Sequence, residues 1–152
     1  MLVLESCYIG DHYTKVSDPE RYVDIVGHSF SFKQEAHLMF IDLQNNRLFP
    51  EPDSRASSAA DYVTVTVGGG FSGQHVVKRL FARPGTRFEV KEIIVCKVCL
   101  PDMRLLRIEF TETPTALEGL PVVVREQYGD VQLLIETQDR VSVNPDYIAV
   151  AK

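Results

Sequence analysis

Residues Arg87 to Phe110 alternate in polarity twice over, and that alternation limits the fold more than any other feature of the chain. In the first run Phe88, Val90, Ile94, Cys96 and Val98 fall on one face, while Arg87, Glu89, Lys91 and Lys97 fall mainly on the other. After Leu100-Pro101-Asp102-Met103, the return run sets Leu106, Ile108 and Phe110 against Leu105, Arg107 and Glu109. A period of two with one charged face describes strands wet on one side, which favours antiparallel pairing over a buried parallel sheet. The pair reads as a β-hairpin.

The same pattern recurs along most of the chain. It predicts strands over Met1–Ile9, Tyr22–Val26, Ala36–Leu43, Arg47–Phe49, Tyr62–Val67, Arg87–Cys99, Met103–Thr111, Val122–Gln127, Val131–Thr137 and Tyr147–Val150. Gln44-Asn45-Asn46-Arg47 and Tyr128-Gly129-Asp130 supply turn residues that tolerate positive φ. Helix signals are few. Ser17-Asp18-Pro19-Glu20 offers a proline-started turn, Thr113 to Gly119 a second, and Pro52 to Asp61 a loop or two helical turns. Over Gln74–Ala82 the spacing of Val76, Val77, Leu80 and Phe81 predicts a helix with Gln74, Lys78 and Arg79 outward. The expected fold is one all-β or β-rich α+β domain spanning the chain, an antiparallel β-barrel or two-sheet sandwich with one or two short helices. Its expected core is Val63, Val65, Val67, Phe88, Val90, Ile94, Val98, Ile108, Phe110, Val131, Leu133 and Ile135.

Composition excludes several classes. With 45% hydrophobic and 24% charged residues, the 152-residue chain is neither disordered nor fibrous. No apolar run approaches the ~20 residues that span a bilayer, and the first residues read as a strand rather than a secretory leader. The three cysteines, Cys7, Cys96 and Cys99, are an odd number and predict a reducing, cytoplasmic setting. Net charge is −5, made of −5 over residues 1–61, +5 over 62–108 and −5 over 109–152. The acidic total argues against nucleic acid as a partner, and the basic middle third is read as strands neutralised by acidic neighbours.

Two spacings resemble known chemistry only locally. Gly68-Gly69-Gly70-Phe71-Ser72-Gly73 has the Gly-x-Gly-x-x-Gly spacing of a dinucleotide loop, but Tyr62, Thr64 and Thr66 alternating with three valines describe a half-wet strand, and no strand–helix alternation follows. A glycine-permitted bend or flap is the simpler reading. What survives is an anion site for phosphate or carboxylate built from Gly70, Ser72, Lys78, Arg79, Arg83 and Arg87, with backbone amides and cations as donors. Cys96-Lys97-Val98-Cys99 lies late in a strand, where positions three apart face opposite ways, so neither a redox pair nor a zinc site is expected.

The histidines are His12, His28, His37 and His75. Asp11, His12, His28 and His37 would supply a base or metal ligands if their strands converged. Tyr8, Tyr13, Tyr22, Phe30, Phe32, Phe40, Phe49 and Phe71 are read first as a core layer, and second as the lining of an apolar cavity. The chain lacks Gly-x-Ser-x-Gly, P-loop and His-Glu-x-x-His motifs. The leading expectation is therefore a non-catalytic binding module, a barrel-like domain that holds a small ligand or a protein partner as a homo-oligomer, without cofactor or metal. The alternatives are a small hydrolase or isomerase using His28 or His37 with Asp11 or Glu35, and an anion-binding domain acting through the glycine run.

Overall fold

The computed structural model describes residues 13–42, 60–73, 75–96, 103–112, 117 and 119–151. Thirteen strands occupy most of them: β1 (Tyr13–Lys15), β2 (Ser29–Phe32), β3 (Ala36–Ile41), β4 (Tyr62–Val67), β5 (Val76–Ala82), β6 (Arg87–Cys96), β7 (Met103–Phe110), β8 (Val122–Arg125), β9 (Gln127–Tyr128), β10 (Val131–Gln132), β11 (Leu134–Glu136), β12 (Val141–Val143) and β13 (Ile148–Val150). The expectations on Met1–Ile9, Arg47–Phe49, Cys7, Cys99 and Val98, and on the turn at residues 44–47, lie outside the described residues.

Nine strands form one sheet in the order β13-β2-β6-β7-β8-β4-β3-β5, with β1 also on β6. β2 occupies the edge of β6 over Arg87–Glu89 and β1 the same edge near Ile94–Cys96. The β6–β7 pair is the hairpin expected from the alternation, Phe88 standing opposite Phe110. Most pairings are antiparallel, but β4 runs parallel to β8, so the sheet is mixed rather than antiparallel throughout. Two short ribbons, β9–β10 and β11–β12, lie off this sheet.

Both ends of the strand order contribute to one core. Phe30, Phe32, Phe88, Val90, Ile93, Leu106 and Ile108 join Leu38, Phe40, Val63, Val65, Val67, Val122 and Val124 in a single buried cluster. Phe32 stacks on Phe88 at 4.5 Å between ring centroids. Burying side chains of this size contributes about 1.5–3 kcal/mol each against leaving them exposed.

Local departures from the simple alternation have identifiable causes. Register shifts between Val90 and Glu92, so Lys91 is an extra residue; beyond this bulge Ile93 enters the main core and Ile94 turns to the opposite face with Leu105 and Val123. In the segment read as one strand over 131–137, Leu133 breaks the ladder between β10 and β11, and Leu133 and Leu134 are both buried. The parity therefore flips, and Ile135, expected in the core, is 39% exposed. Tyr22 to Val26 is not a strand. Pro19–Tyr22 is a 3-10 turn with proline at its start, followed by a tight turn that buries Ile25. β5 replaces the helix expected over 74–82, because pairing with β3 satisfies the backbone of an apolar stripe that fits either period. Among the described residues that 3-10 turn is the one helical element, and no helix is long and apolar enough to cross a membrane.

Candidate functional site

β3 lies between β4 and β5 and is antiparallel to both. β4 therefore ends beside Ala36, whereas β5 begins beside Ile41 at the far end of β3. The connection must travel the length of β3, about 17 Å at the usual rise per residue, and residues 68–73 lie as a strap across its outer face. Phe71 packs there with Met39, Ile41, Tyr62 and Val76, on the side away from the main core. The covering explains why Thr64 and Thr66 are buried although their alternation reads as half-wet.

The glycines make this close passage possible. Gly68 adopts φ +91°, and a Cβ there would stand 2.5 Å from Cγ2 of Val131. A Cβ on Gly70 would stand 3.0 Å from both Nη1 of Arg79 and Nδ1 of His37. The strap's carbonyls are then taken one after another: the Thr66 hydroxyl donates to Gly69, the Tyr128 hydroxyl donates to Gly70 at 2.9 Å, and Nη2 of Arg79 donates to Phe71. Nη2 of Arg79 also donates to Oγ of Ser72 at 2.8 Å. By contrast, the amides of Gly69, Gly70, Phe71, Ser72 and Gly73 donate to no acceptor among the described residues.

Three of the residues expected at an anion site thus meet: Gly70, Ser72 and Arg79. The others go elsewhere. On a strand, Lys78 must face opposite to Arg79; its Nζ lies 5.1 Å from the centroid of the Phe40 ring. Arg83 is exposed in the turn joining β5 to β6, where its carbonyl accepts from the amide and hydroxyl of Thr86, and Arg87 is exposed at the start of β6. Neither hydrogen-bonds the strap. A residue absent from the sequence reading takes their place: the Arg125 guanidinium lies 5.6 Å from the centroid of the Phe71 ring. Neither Arg79 nor Arg125 has a carboxylate partner among the described residues, and Nε of Arg125 is buried without an acceptor.

The acid–base alternative finds its members in separate settings. His37 lies on the outer face of β3 under Gly70, edge-on to Phe81 at 4.9 Å, with Nδ1 buried and without a partner. His28 precedes β2 and donates from Nε2 to the Val23 carbonyl at 3.1 Å. His75 is 2.8 Å from the Asp42 carbonyl through Nδ1. Glu35 is exposed in the connection from β2 to β3, and Asp11 and His12 lie outside the described residues. Among the described residues no group of three or more His, Cys, Asp or Glu side chains is placed to hold a metal ion.

A second constellation escaped the sequence reading. Arg104 on β7 makes a two-pronged contact with Glu126, Nε to Oε1 and Nη2 to Oε2, both at 2.8 Å. Its Nη1 donates to the Tyr22 hydroxyl and to Oε1 of Glu136, both at 2.9 Å. Gln132 donates to Glu126 as well. The bond to the Glu126 carboxylate is the main reason the Arg104 guanidinium is held above its ordinary range, with Tyr22 adding to it and burial opposing. The available signal was one acid, Glu126, two positions after a run of three valines; its partner lies 22 residues away and could not be read from spacing. Every member is satisfied, so this knot is architecture: it ties the 3-10 turn and the β8–β9 and β11 region to the main sheet.

No protein family, curated protein or solved structure matches the chain.

Proposed function

We propose that this chain is a non-catalytic binding module that captures an extended, acidic segment of a partner protein along β5. One observation carries the reading: β5 is a seven-residue strand at the end of the sheet order, paired with β3 on one side only among the described residues. Phe81 and Val77 are 51% and 47% exposed on it. A terminal strand presents a row of unsatisfied N–H and C=O groups to any extended chain, and exposed apolar side chains add affinity. Residues 76–86 contain three cations, Lys78, Arg79 and Arg83, and no acid. That charge disfavours pairing of β5 with a second copy of itself and favours an acidic strand. A homo-oligomer would accordingly form through another surface.

We read the sheet as an incompletely closed barrel. Residues 33–35 and 83–86 are short links between strands from opposite ends of the order, which brings those ends together around the core. The open end is where the partner strand would add.

The test is a set of peptides alternating Val with Glu, Ser or Lys, titrated into isotopically labelled protein. Amide shifts concentrated in β5, strongest with the Glu peptide and absent with the Lys peptide, are expected. Phe81→Ser should weaken the Glu peptide about tenfold, the usual effect of losing an aromatic anchor worth ~1.4 kcal/mol. Shifts that bypass β5 with every peptide would overturn the reading.

A further inference from the structure

The strap carries a charge imbalance that reaches beyond the β5 edge to Arg125 on β8. Arg21, Arg104, Arg107 and Arg140 each lie within 4 Å of a carboxylate oxygen. Among the described residues Arg79 and Arg125 do not, although the chain has 21 acids against 16 Lys and Arg. Their neighbours are neutral: for Arg79 the Phe71 carbonyl and the Ser72 hydroxyl, for Arg125 the face of the Phe71 ring. Neutral acceptors and an aromatic face orient a guanidinium but leave its charge uncompensated.

Both cations therefore converge on one residue of the strap. The five amides from Gly69 to Gly73 around it have no acceptor among the described residues, and Ser72 and Gly73 are exposed. Backbone donors in a glycine segment beside guanidiniums are the chemistry that recognises a tetrahedral oxyanion, since amide and guanidinium N–H groups can share its oxygens among them. Two positive charges match the near-dianion that a phosphate group presents at neutral pH.

We propose that the surface around Phe71, where Arg79 and Arg125 meet the amides of the glycine strap, binds a phosphate group. The site differs from the one expected from sequence in its cations: Arg125 enters, and Lys78, Arg83 and Arg87 drop out. It shares Arg79 with the β5 edge, whereas Arg125 on β8 belongs to the phosphate site alone.

The experiment titrates inorganic phosphate into labelled protein, with sodium acetate and sodium chloride at matched ionic strength as parallel arms and phosphoserine as a third. Saturable shifts of the Gly69–Gly73 amides with phosphate, and not with acetate or chloride, are expected. Tighter binding of phosphoserine than of phosphate would identify a phosphorylated partner as the source, and the reverse a free anion. Arg125→Gln, which leaves the strap's own hydrogen bonds in place, should weaken phosphate at least tenfold, and Arg83→Gln should leave it unchanged. If Arg125→Gln does not fold, Arg125→Lys keeps the charge, loses the fork and should still weaken binding. Shifts that do not saturate, that appear equally with acetate, or that survive the Arg125 substitution would overturn the proposal. Peptide binding at β5 should survive Arg125→Gln, so the two readings fail separately.

Discussion

Arg104 and Arg79 both fasten chain that has left the main sheet, yet they do it with opposite charge balance. Arg104 holds the 3-10 turn and the region of the short ribbons through Glu126, Glu136 and Tyr22, and its positive charge is met at 2.8–2.9 Å by two carboxylates. Arg79 holds the glycine strap through a carbonyl and a hydroxyl, both neutral. The first arrangement is closed, since every donor has an acceptor within the protein. The second secures its segment equally by geometry but keeps a surplus of positive charge, shared with Arg125, beside amides that have no acceptor among the described residues. Arginine alone therefore does not mark a site. Whether its charge is answered within the fold does.

Breaking the closed knot should give the largest effect. Glu126 is 9% exposed, and removing it strands the Arg104 guanidinium away from its main acceptor. Glu126→Ala should cost about 3 kcal/mol, the lower end for breaking a buried ion pair. Urea denaturation checks this as a lower midpoint at unchanged slope. Replacing both partners by apolar residues, Arg104→Met with Glu126→Leu, should cost less than either single loss, because no uncompensated charge remains. The pH dependence has a definite sign. The folded state raises the Arg104 pKa, so the contact's stabilisation is complete below the unfolded arginine pKa and fades only as pH rises through the higher folded one. Alkaline titration that discharges lysines should leave it intact.

The strap comes next. Gly68→Ala adds a Cβ 2.5 Å from Val131 at φ +91°, so backbone strain and overlap combine. Together they should cost about 2 kcal/mol. Gly73→Ala meets nothing within 4 Å and has no positive φ, so it should change stability by less than about 0.5 kcal/mol. Thermal unfolding of the two variants side by side separates a strap that must lie close from one that is merely glycine-rich. Equal melting temperatures would mean that residues 68–73 do not pack as described.

The smallest effect sharpens the contrast from the other side. Arg140 and Asp24 pair at 2.8 Å, as short as the bonds in the knot, but their side chains are 56% and 54% exposed. Arg140→Ala should therefore cost only about 0–1 kcal/mol, and the difference should vanish at high salt. A loss as large as that of Glu126→Ala would show that distance rather than burial governs these pairs.

Much of the sheet was readable because alternation is a local property. The β6–β7 hairpin, β3, β4 and the turn around Gly129 follow from residues two apart or adjacent, and the valines of β4 are buried as their parity requires. Parity failed wherever one residue was inserted or a ladder broke. Lys91 moved Ile94 off the main core, and the break at Leu133 exposed Ile135, because a one-residue slip turns all later side chains over. β5 was misread as helix for a related reason: an apolar stripe in a short segment fits both periods until a partner strand settles it.

The candidate site was legible in part. The glycine run marked the segment and Arg79 its cation, but the expected helix turned Lys78 to the same side, and nothing in the spacing linked Phe71 to Arg125. By itself the sequence determined that the chain is β-rich, that Val63, Val65 and Val67 belong to the core, and that the glycine run permits a bend. Tertiary structure alone decided the mixed sheet order, the passage of the strap over β3, and which arginines found carboxylates. Those outcomes depend on contacts between residues dozens of positions apart, and such contacts leave no period in the chain from which they can be read.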